Sequence, residues 1–356
     1  SDIDNPNSPM FFVENFNNAK REVLGVFFER TEHFTSHWSG EFGVRFNRVE
    51  MDADKVNATP AMMMPAAATL RDTFNNSKLR QVDNNLDLAA KAWFKATDNT
   101  SWYLGVAQKN RSPSYQERYL WLPLQATAGL ADGYTYTGTI ALNPEVSSQI
   151  ESGLNYSNGG LTLSPRIFYS KVKDYIQGTV SEDTAAIAFV RMMNMQYGTN
   201  NPDPLQFTNV DAQLYGFDMD WAWYLSEQWS LSGVVNYVRG ERDDSSDDNL
   251  YRIAAPNATV SLTYTAPAWT AAIETVGYAK QDDVSVVNNE QASSSYGLIN
   301  LNATWYATKN LQLAAGVDNV LDKRYEDHLG GYNRAINPDI ALGARLPSYG
   351  ANIFAR

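Results

Sequence analysis

Cysteine is absent. That excludes disulfides, zinc–thiolate centres and thiol nucleophiles, and it leaves the compartment open. Histidine is scarce: 356 residues hold only three, at 33, 37 and 328. No stretch approaches the roughly 20 consecutive apolar residues of a membrane helix, so a helical membrane protein is excluded. Positive charge is also in short supply, with 28 Lys and Arg against 40 Asp and Glu and a net charge of −12. Nucleic acid is a poor partner for such a chain, because phosphates select a basic face. HExxH, GxSxG, P-loop and GxGxxG patterns are missing, and nothing points to an enzyme. The opening residues, SDIDNPNSPM, have no basic n-region and no apolar h-region, so they are not a signal peptide.

Aromatic residues are plentiful, with 20 Tyr, 15 Phe and 9 Trp, yet mean hydropathy is negative at −0.40. Alternation explains both. From 215 to 225, Tyr215, Phe217, Met219, Trp221, Trp223 and Leu225 share one face, and Gly216, Asp218, Asp220, Ala222 and Tyr224 share the other. Period-2 patterning means β-strand, and this run is longer than the five or six residues of an ordinary strand. It has the length of a tilted membrane strand, whose two faces cancel in hydropathy. Phe42, Val44 and Phe46 oppose Glu41, Arg45 and Asn47 in the same way, and Leu86, Leu88 and Ala90 oppose Asp87 and Lys91.

The pattern predicts about 13 strands, near 21–33, 38–52, 84–96, 101–111, 145–156, 160–176, 208–225, 229–241, 257–265, 269–282, 297–306, 310–319 and 347–356. Their connections alternate between short and long. Short turns fall at Thr35-Ser36, Asp98-Asn99, Asn158-Gly159, Ser226-Glu227, Ala266-Pro267 and Thr308-Lys309. Outer-membrane barrels have tight periplasmic turns and longer extracellular loops. Phe34, Trp38, Trp102, Tyr156, Trp223, Trp229, Trp269, Trp305 and Tyr306 sit beside the short turns, where a periplasmic aromatic girdle belongs. The polar rows, including Asp87, Glu151, Asp218, Asp220, Glu274 and Asp318, then face an enclosed lumen. The expected fold is therefore all-β: a transmembrane antiparallel up-and-down β-barrel lying in lipid. Single-chain bacterial barrels have even strand numbers. An odd count makes residues 1–356 an incomplete, C-terminal portion of one outer-membrane barrel domain, without a plug.

Four elements resemble TonB-dependent outer-membrane receptors. Asn319-Val320-Leu321-Asp322-Lys323-Arg324-Tyr325 is similar to the element before their final strand. Leu142-Asn143-Pro144-Glu145 with Glu151-Ser152-Gly153-Leu154, and Lys173-Asp174-Tyr175-Ile176, resemble recurrent strand starts and ends. Arg111-Ser112-Pro113-Ser114-Tyr115-Gln116-Glu117 resembles their R-x-P-x-x-x-E element. Met62-Met63-Met64-Pro65-Ala66-Ala67-Ala68-Thr69-Leu70-Arg71-Asp72 and Ser114–Pro123 look like the TonB-dependent copper receptors of the NosA/OprC type. The resemblance implies loops at 53–83, 112–144, 181–207 and 320–346 that capture a substrate. It also implies a TonB complex as partner through a missing N-terminal part.

Copper as transported substrate, with no tightly bound cofactor, also fits the soft thioether chemistry of methionine. The candidate metal ligands are Met62, Met63 and Met64 in one predicted extracellular loop, and Met192, Met193 and Met195 in another. The same residues can instead be adaptable packing. The copper family's Cys and His-x-Met ligands are not found: His33 precedes Phe34-Thr35, His37 precedes Trp38-Ser39, and His328 precedes Leu329-Gly330. His33 and His37 read as interfacial polar residues, and His328 as a loop residue able to serve as a ligand. Glu241–Asp248 is an acidic tip, either solvated or able to hold a divalent cation. Alternatives are a receptor for a ferric siderophore, with Trp121, Tyr134 and Tyr136 as binding aromatics, a passive porin, or a membrane-embedded enzyme.

Overall fold

The computed structural model describes residues 2–5, 8–124, 133–245, 249–333, 339–341 and 343–356. In chain order the elements begin with β1 (Asp2–Asn5), β2 (Ser8–Glu14), β3 (Lys20–His33), β4 (Trp38–Asp52), α1 (Thr59–Met63) and α2 (Pro65–Asn76). They continue with β5 (Gln81–Thr97), β6 (Thr100–Arg111), α3 (Tyr115–Tyr119), β7 (Tyr136–Thr137), β8 (Glu145–Ser157), β9 (Leu161–Val180) and α4 (Thr184–Tyr197). The last are β10 (Leu205–Tyr224), β11 (Trp229–Arg242), β12 (Asn257–Ala266), β13 (Trp269–Tyr278), β14 (Tyr296–Thr308), β15 (Leu311–Asp318) and β16 (Asn352–Ala355).

One sheet of 14 strands carries the fold. Its strands follow chain order from β3 at one edge to β16 at the other, each antiparallel to the next, and β7 adds to β10 in parallel. Among the described residues β3 and β16 do not pair with each other. Setting β7 aside, the strands of this sheet are those that the alternation predicts; β1 and β2, which pair with each other outside it, are not among the predicted strands. Their ends differ most where loops stiffen them. β9 runs to Val180 and β10 starts at Leu205, because the two continue pairing beyond a bulge at Val210/Ala212. β13 stops at Tyr278 and β16 shortens to Asn352–Ala355.

The short turns are built by hydroxyl and amide side chains. Thr35 Oγ1 accepts from the His37 and Trp38 amides at 3.2 and 3.0 Å. Ser226 Oγ repeats this with Gln228 and Trp229 at 3.2 and 3.1 Å. Asn158 Oδ1 accepts from Gly160 and Leu161, while Gly159 supplies φ +84°. Such local bonds close a reversal without spending strand residues. The Thr35 and Ser226 turns each deliver a tryptophan, Trp38 and Trp229, at the first position of the returning strand.

Register places those aromatics in one row. Trp38 faces Phe94, which faces Trp102, and Trp269 faces Trp305. Trp102 and Trp305 are 53% and 54% exposed, so no second layer of the described residues covers them. The opposite face is the inner one. Val49 and Met51 of β4 and Asp83 and Asn85 of β5 project from it and are buried beneath the loop helices. The lumen carboxylates fall on this face: Glu274 opposite Asn300, Asp218 opposite Arg166, Glu151 opposite Gly105.

Candidate functional site

At the long-loop end the chain departs from the expectation of plain loops. Helices α1 and α2 occupy the 53–83 connection, α3 the 112–144 connection and α4 the 181–207 connection. Helix α2 begins with Pro65, whose fixed φ suits the first helical position, and buries Ala67, Leu70 and Phe74 along one face. Helix α4 is capped by Asp183, whose Oδ1 accepts from the Ala185 and Ala186 amides at 2.8 and 3.3 Å. It ends at Gly198 in the left-handed region, φ 64°. Ala186, Phe189 and Val190 of α4 join Leu70 and Phe74 of α2, Tyr119 of α3 and Met51 of β4 in one core. Burial pushes the Tyr119 phenol up to about 12, and its hydroxyl donates to the Leu79 carbonyl at 2.8 Å.

This core brings the two methionine groups together. Met64, at the start of α2, and Met193, on α4, both pack against it. Met192 is half-buried, while Met62, Met63 and Met195 stay exposed at 60%, 77% and 78%. Met10 lies beside them in β2, 88% exposed, its carbonyl accepting from Thr59 Oγ1 at the start of α1. The sequence pattern missed Met10 because it stands alone. Met51 is different again: it is buried, and Arg118 Nη1 approaches its sulfur at 3.7 Å.

The remaining motif residues knot the loops to the strands. Arg111 binds Glu117 and Glu145 together, and Glu145 Oε1 also accepts from the Ile176 amide at 2.9 Å. Asn209 accepts from the Asn143 amide at 2.9 Å and donates to the Asp174 carbonyl at 2.7 Å. Asp174 has φ 57°, a conformation that Asp tolerates better than most residues. Asn319 at φ 49° folds its side chain onto Lys323, accepting at 2.9 Å and donating at 2.9 Å. Asp322 Oδ1 then holds the Ala351 amide at 2.9 Å. These residues shape backbone rather than meet ligands.

Several candidates are excluded as ligands by their partners. His328 is buried, with Nε2 at 3.1 Å from Glu290 and Nδ1 at 3.1 Å from Ser293, so neither ring nitrogen is open. In the acidic tip, Arg239 holds Glu241 and Arg242 holds Asp244, and Asp243 shares an exposed ion pair with Lys171; residues 246–248 of that tip lie outside the described residues. His33 and His37 line a periplasmic-end cavity of about 570 Å³ with Trp93, Lys95 and Tyr156, consistent with an interfacial setting. Trp121 and Tyr136 are core residues, 4% and 0% exposed: Trp121 joins the core of α2 and α4, while Tyr136 packs with Ile176, Leu205 and Phe207 at the strand ends, and Tyr134 lies partly against that second cluster. The inner wall offers other aromatics. Tyr278 stacks on Tyr296 at 4.8 Å, Tyr325 leans on Tyr296 at 4.5 Å with the rings tilted by 34°, and the Tyr296 hydroxyl donates to Asp327 at 3.0 Å.

The family model described as TonB dependent receptor-like, beta-barrel matches residues 1–320. The ferrienterobactin receptor of Escherichia coli (strain K12) is 24% identical over 257 residues, 68% of this chain and 33% of that protein. The pesticin receptor of Yersinia enterocolitica serotype O:8 is 22% identical over 342 residues, 92% of this chain and 43% of that protein. The chain thus spans less than half the length of these curated relatives. A solved structure described as the copper transporter OprC superimposes with a TM-score of 0.73 at 20% identity, covering 95% of this chain and 47% of that one.

Proposed function

This chain belongs to the TonB-dependent receptor-like β-barrel family of the Gram-negative outer membrane, and on that footing we propose that it is the C-terminal barrel portion of a transporter that takes up copper ions. The observation that carries the cargo is the gathering of two distant methionine groups on one rigid cap, Met62–Met64 from α1 and α2 and Met193 and Met195 from α4. Thioethers are soft ligands that favour Cu(I) over hard cations. Exposed sulfurs on packed helices can accept copper from outside and pass it inward. Energy coupling would come from the TonB complex acting through other parts of the full-length protein. Strands supplied there would pair the β3 and β16 edges, since unpaired backbone groups are costly in hydrocarbon.

A test is Cu(I) titration and cellular copper uptake with the full-length M62L/M63L/M195L variant, which keeps the side chains apolar but removes the sulfurs. Binding should weaken at least tenfold with the folded barrel unchanged. Wild-type affinity and uptake in that variant would defeat the copper reading.

A ferric siderophore is the second reading, supported by the Tyr278–Tyr296–Tyr325 stack on the inner wall. Planar catechols suit such a stack, and the ferrienterobactin receptor is among the relatives. Tyr325→Leu should then lower ferric-siderophore uptake and leave copper untouched. A passive porin would conduct copper equally in cells with and without TonB.

A further inference from the structure

On the lipid-facing wall, Ala90 of β5 lies in a row with Phe42, Val106, Ile150 and Tyr169. The small side chain among large neighbours leaves an apolar groove of about 400 Å³. Its upper rim is Gln108 and Ser148, and the same cross-strand row continues to Lys171. One row higher, Val146 faces Lys173. Both lysines point outward and are exposed.

Height decides what meets them. Leu154 belongs to the girdle row, opposite Trp102. The positions facing Lys171 and Lys173 lie six and eight residues further along β8, roughly 20 and 26 Å at 3.3 Å per residue. At the roughly 35–45° tilt of such strands these paths climb about 15 and 20 Å, and the long Lys173 side chain reaches from there toward the top of the ~25 Å apolar band, where an outer-leaflet headgroup lies. An outward lysine pair directly above an apolar groove gives an anionic headgroup two cationic contacts, in exchange for the exposed pairing of Lys171 with Asp243.

We propose that this wall seats one phosphorylated glycolipid of the outer leaflet, with an acyl chain in the groove beside Ala90 and a phosphate on Lys171 and Lys173. The neighbouring carboxylates leave that possible. Asp243 pairs with Lys171 at 2.8 Å, but the pair is 60% and 39% exposed and exchanges readily for a phosphate. Asp174, next to Lys173, is engaged by Asn143 Nδ2 at 3.2 Å, and Asp211, which also lies near Lys171, accepts from the Asp174 amide at 3.3 Å. Lys173 has no ion pair among the described residues. Gln108 and Ser148 add polar contacts where the chain meets the headgroup. The seat depends on the barrel's orientation in the membrane and not on its cargo.

Native mass spectrometry of the full-length protein in mild detergent, with purified bis-phosphorylated lipid A as probe, tests this. One lipid A should bind per barrel and should outcompete phosphatidylglycerol. K171Q/K173Q should lower its occupancy at least fivefold, and A90L, which fills the groove but keeps both lysines, should do likewise. Lipid A stripped of phosphate should bind the wild type as weakly as intact lipid A binds K171Q/K173Q. Resistance of each folded variant to cold SDS controls for misfolding. Wild-type occupancy in folded A90L, or equal competition by phosphatidylglycerol, would overturn the proposal.

Discussion

Arg111 clasps Glu145 with two nitrogens, Nε at 2.7 Å and Nη2 at 2.6 Å. The same guanidinium reaches Glu117 at 3.0 and 3.1 Å, so a strand end, a helix and the next strand are joined by one planar group. Glu117 also closes the α3 capping box, accepting from the Ser114 amide at 2.6 Å. Lysine carries one point charge and cannot span both carboxylates in the plane. R111K should therefore destabilise the barrel's extracellular end by about 1–3 kcal/mol, a figure for charge-assisted bonds in a partly exposed site. Proteolysis within 112–144 should accelerate in R111K, and an unchanged cleavage rate would count against the clasp.

A second guanidinium is fully enclosed. Arg118 is 1% exposed and donates through Nη2 to Asp83 and to the Leu142 carbonyl, both at 2.9 Å. Asp83 Oδ2 and Arg118 Nε have no partner among the described residues, so the pair is only partly compensated. Removing one member strands the other, at about 3–5 kcal/mol, whereas replacing both with apolar groups is often near neutral. R118M should lower the urea midpoint of the full-length barrel, and D83L/R118M should recover most of the loss. A double variant as weak as R118M would show that the pair itself stabilises.

The strands were legible because lipid and lumen impose opposite chemistry on alternate residues. Phe42 and Glu41 cannot exchange faces, and every hairpin registers from a turn such as Thr35–Trp38. The helices were hidden by that same emphasis on period 2, although Asp183 before α4 and Gly198 after it mark a cap and a stop. Trp121 and Tyr136 defeated sequence reading for a different reason. Aromatics in a loop look available until the loop folds over them, and burial is a tertiary property. The convergence of Met64 and Met193 is likewise tertiary, set by α2 packing on α4.

Asp203 ties the end of the α4 loop back to the helix. Arg191 donates to it through Nε at 3.0 Å and Nη2 at 2.6 Å, and that bond holds its carboxyl below the ordinary 3.8. A depressed folded value means the contribution is complete above pH 3.8 and disappears as pH falls through the folded value. Both side chains are more than a third exposed, so the effect is local and small. Pepsin cleavage of the α4 loop should be slower in the wild type than in D203N at pH 5, and the two should converge near pH 2. A difference that persists at pH 2 would mean ionisation is not its cause.

The membrane assignment can be tested within one molecule, because tryptophans occupy two environments. Trp102 and Trp305 stand in the outward row beside the short turns, about half exposed. Trp121 is 4% exposed in the loop core, its Nε1 donating to the Glu14 carbonyl at 2.9 Å. Indole rings settle at the headgroup level, where the ring is partly apolar and its N–H stays wet. Single-tryptophan versions of the full-length protein in vesicles should separate accordingly. Bromine placed high on the acyl chain should quench Trp102 and Trp305 strongly, and bromine near the bilayer centre only weakly. Trp121 should be silent to both, since it is screened by α2 and α4 above the hydrocarbon. Quenching of Trp305 mainly by deep bromine would move the girdle off the interface. Insensitivity of the whole outward row would remove lipid from that face.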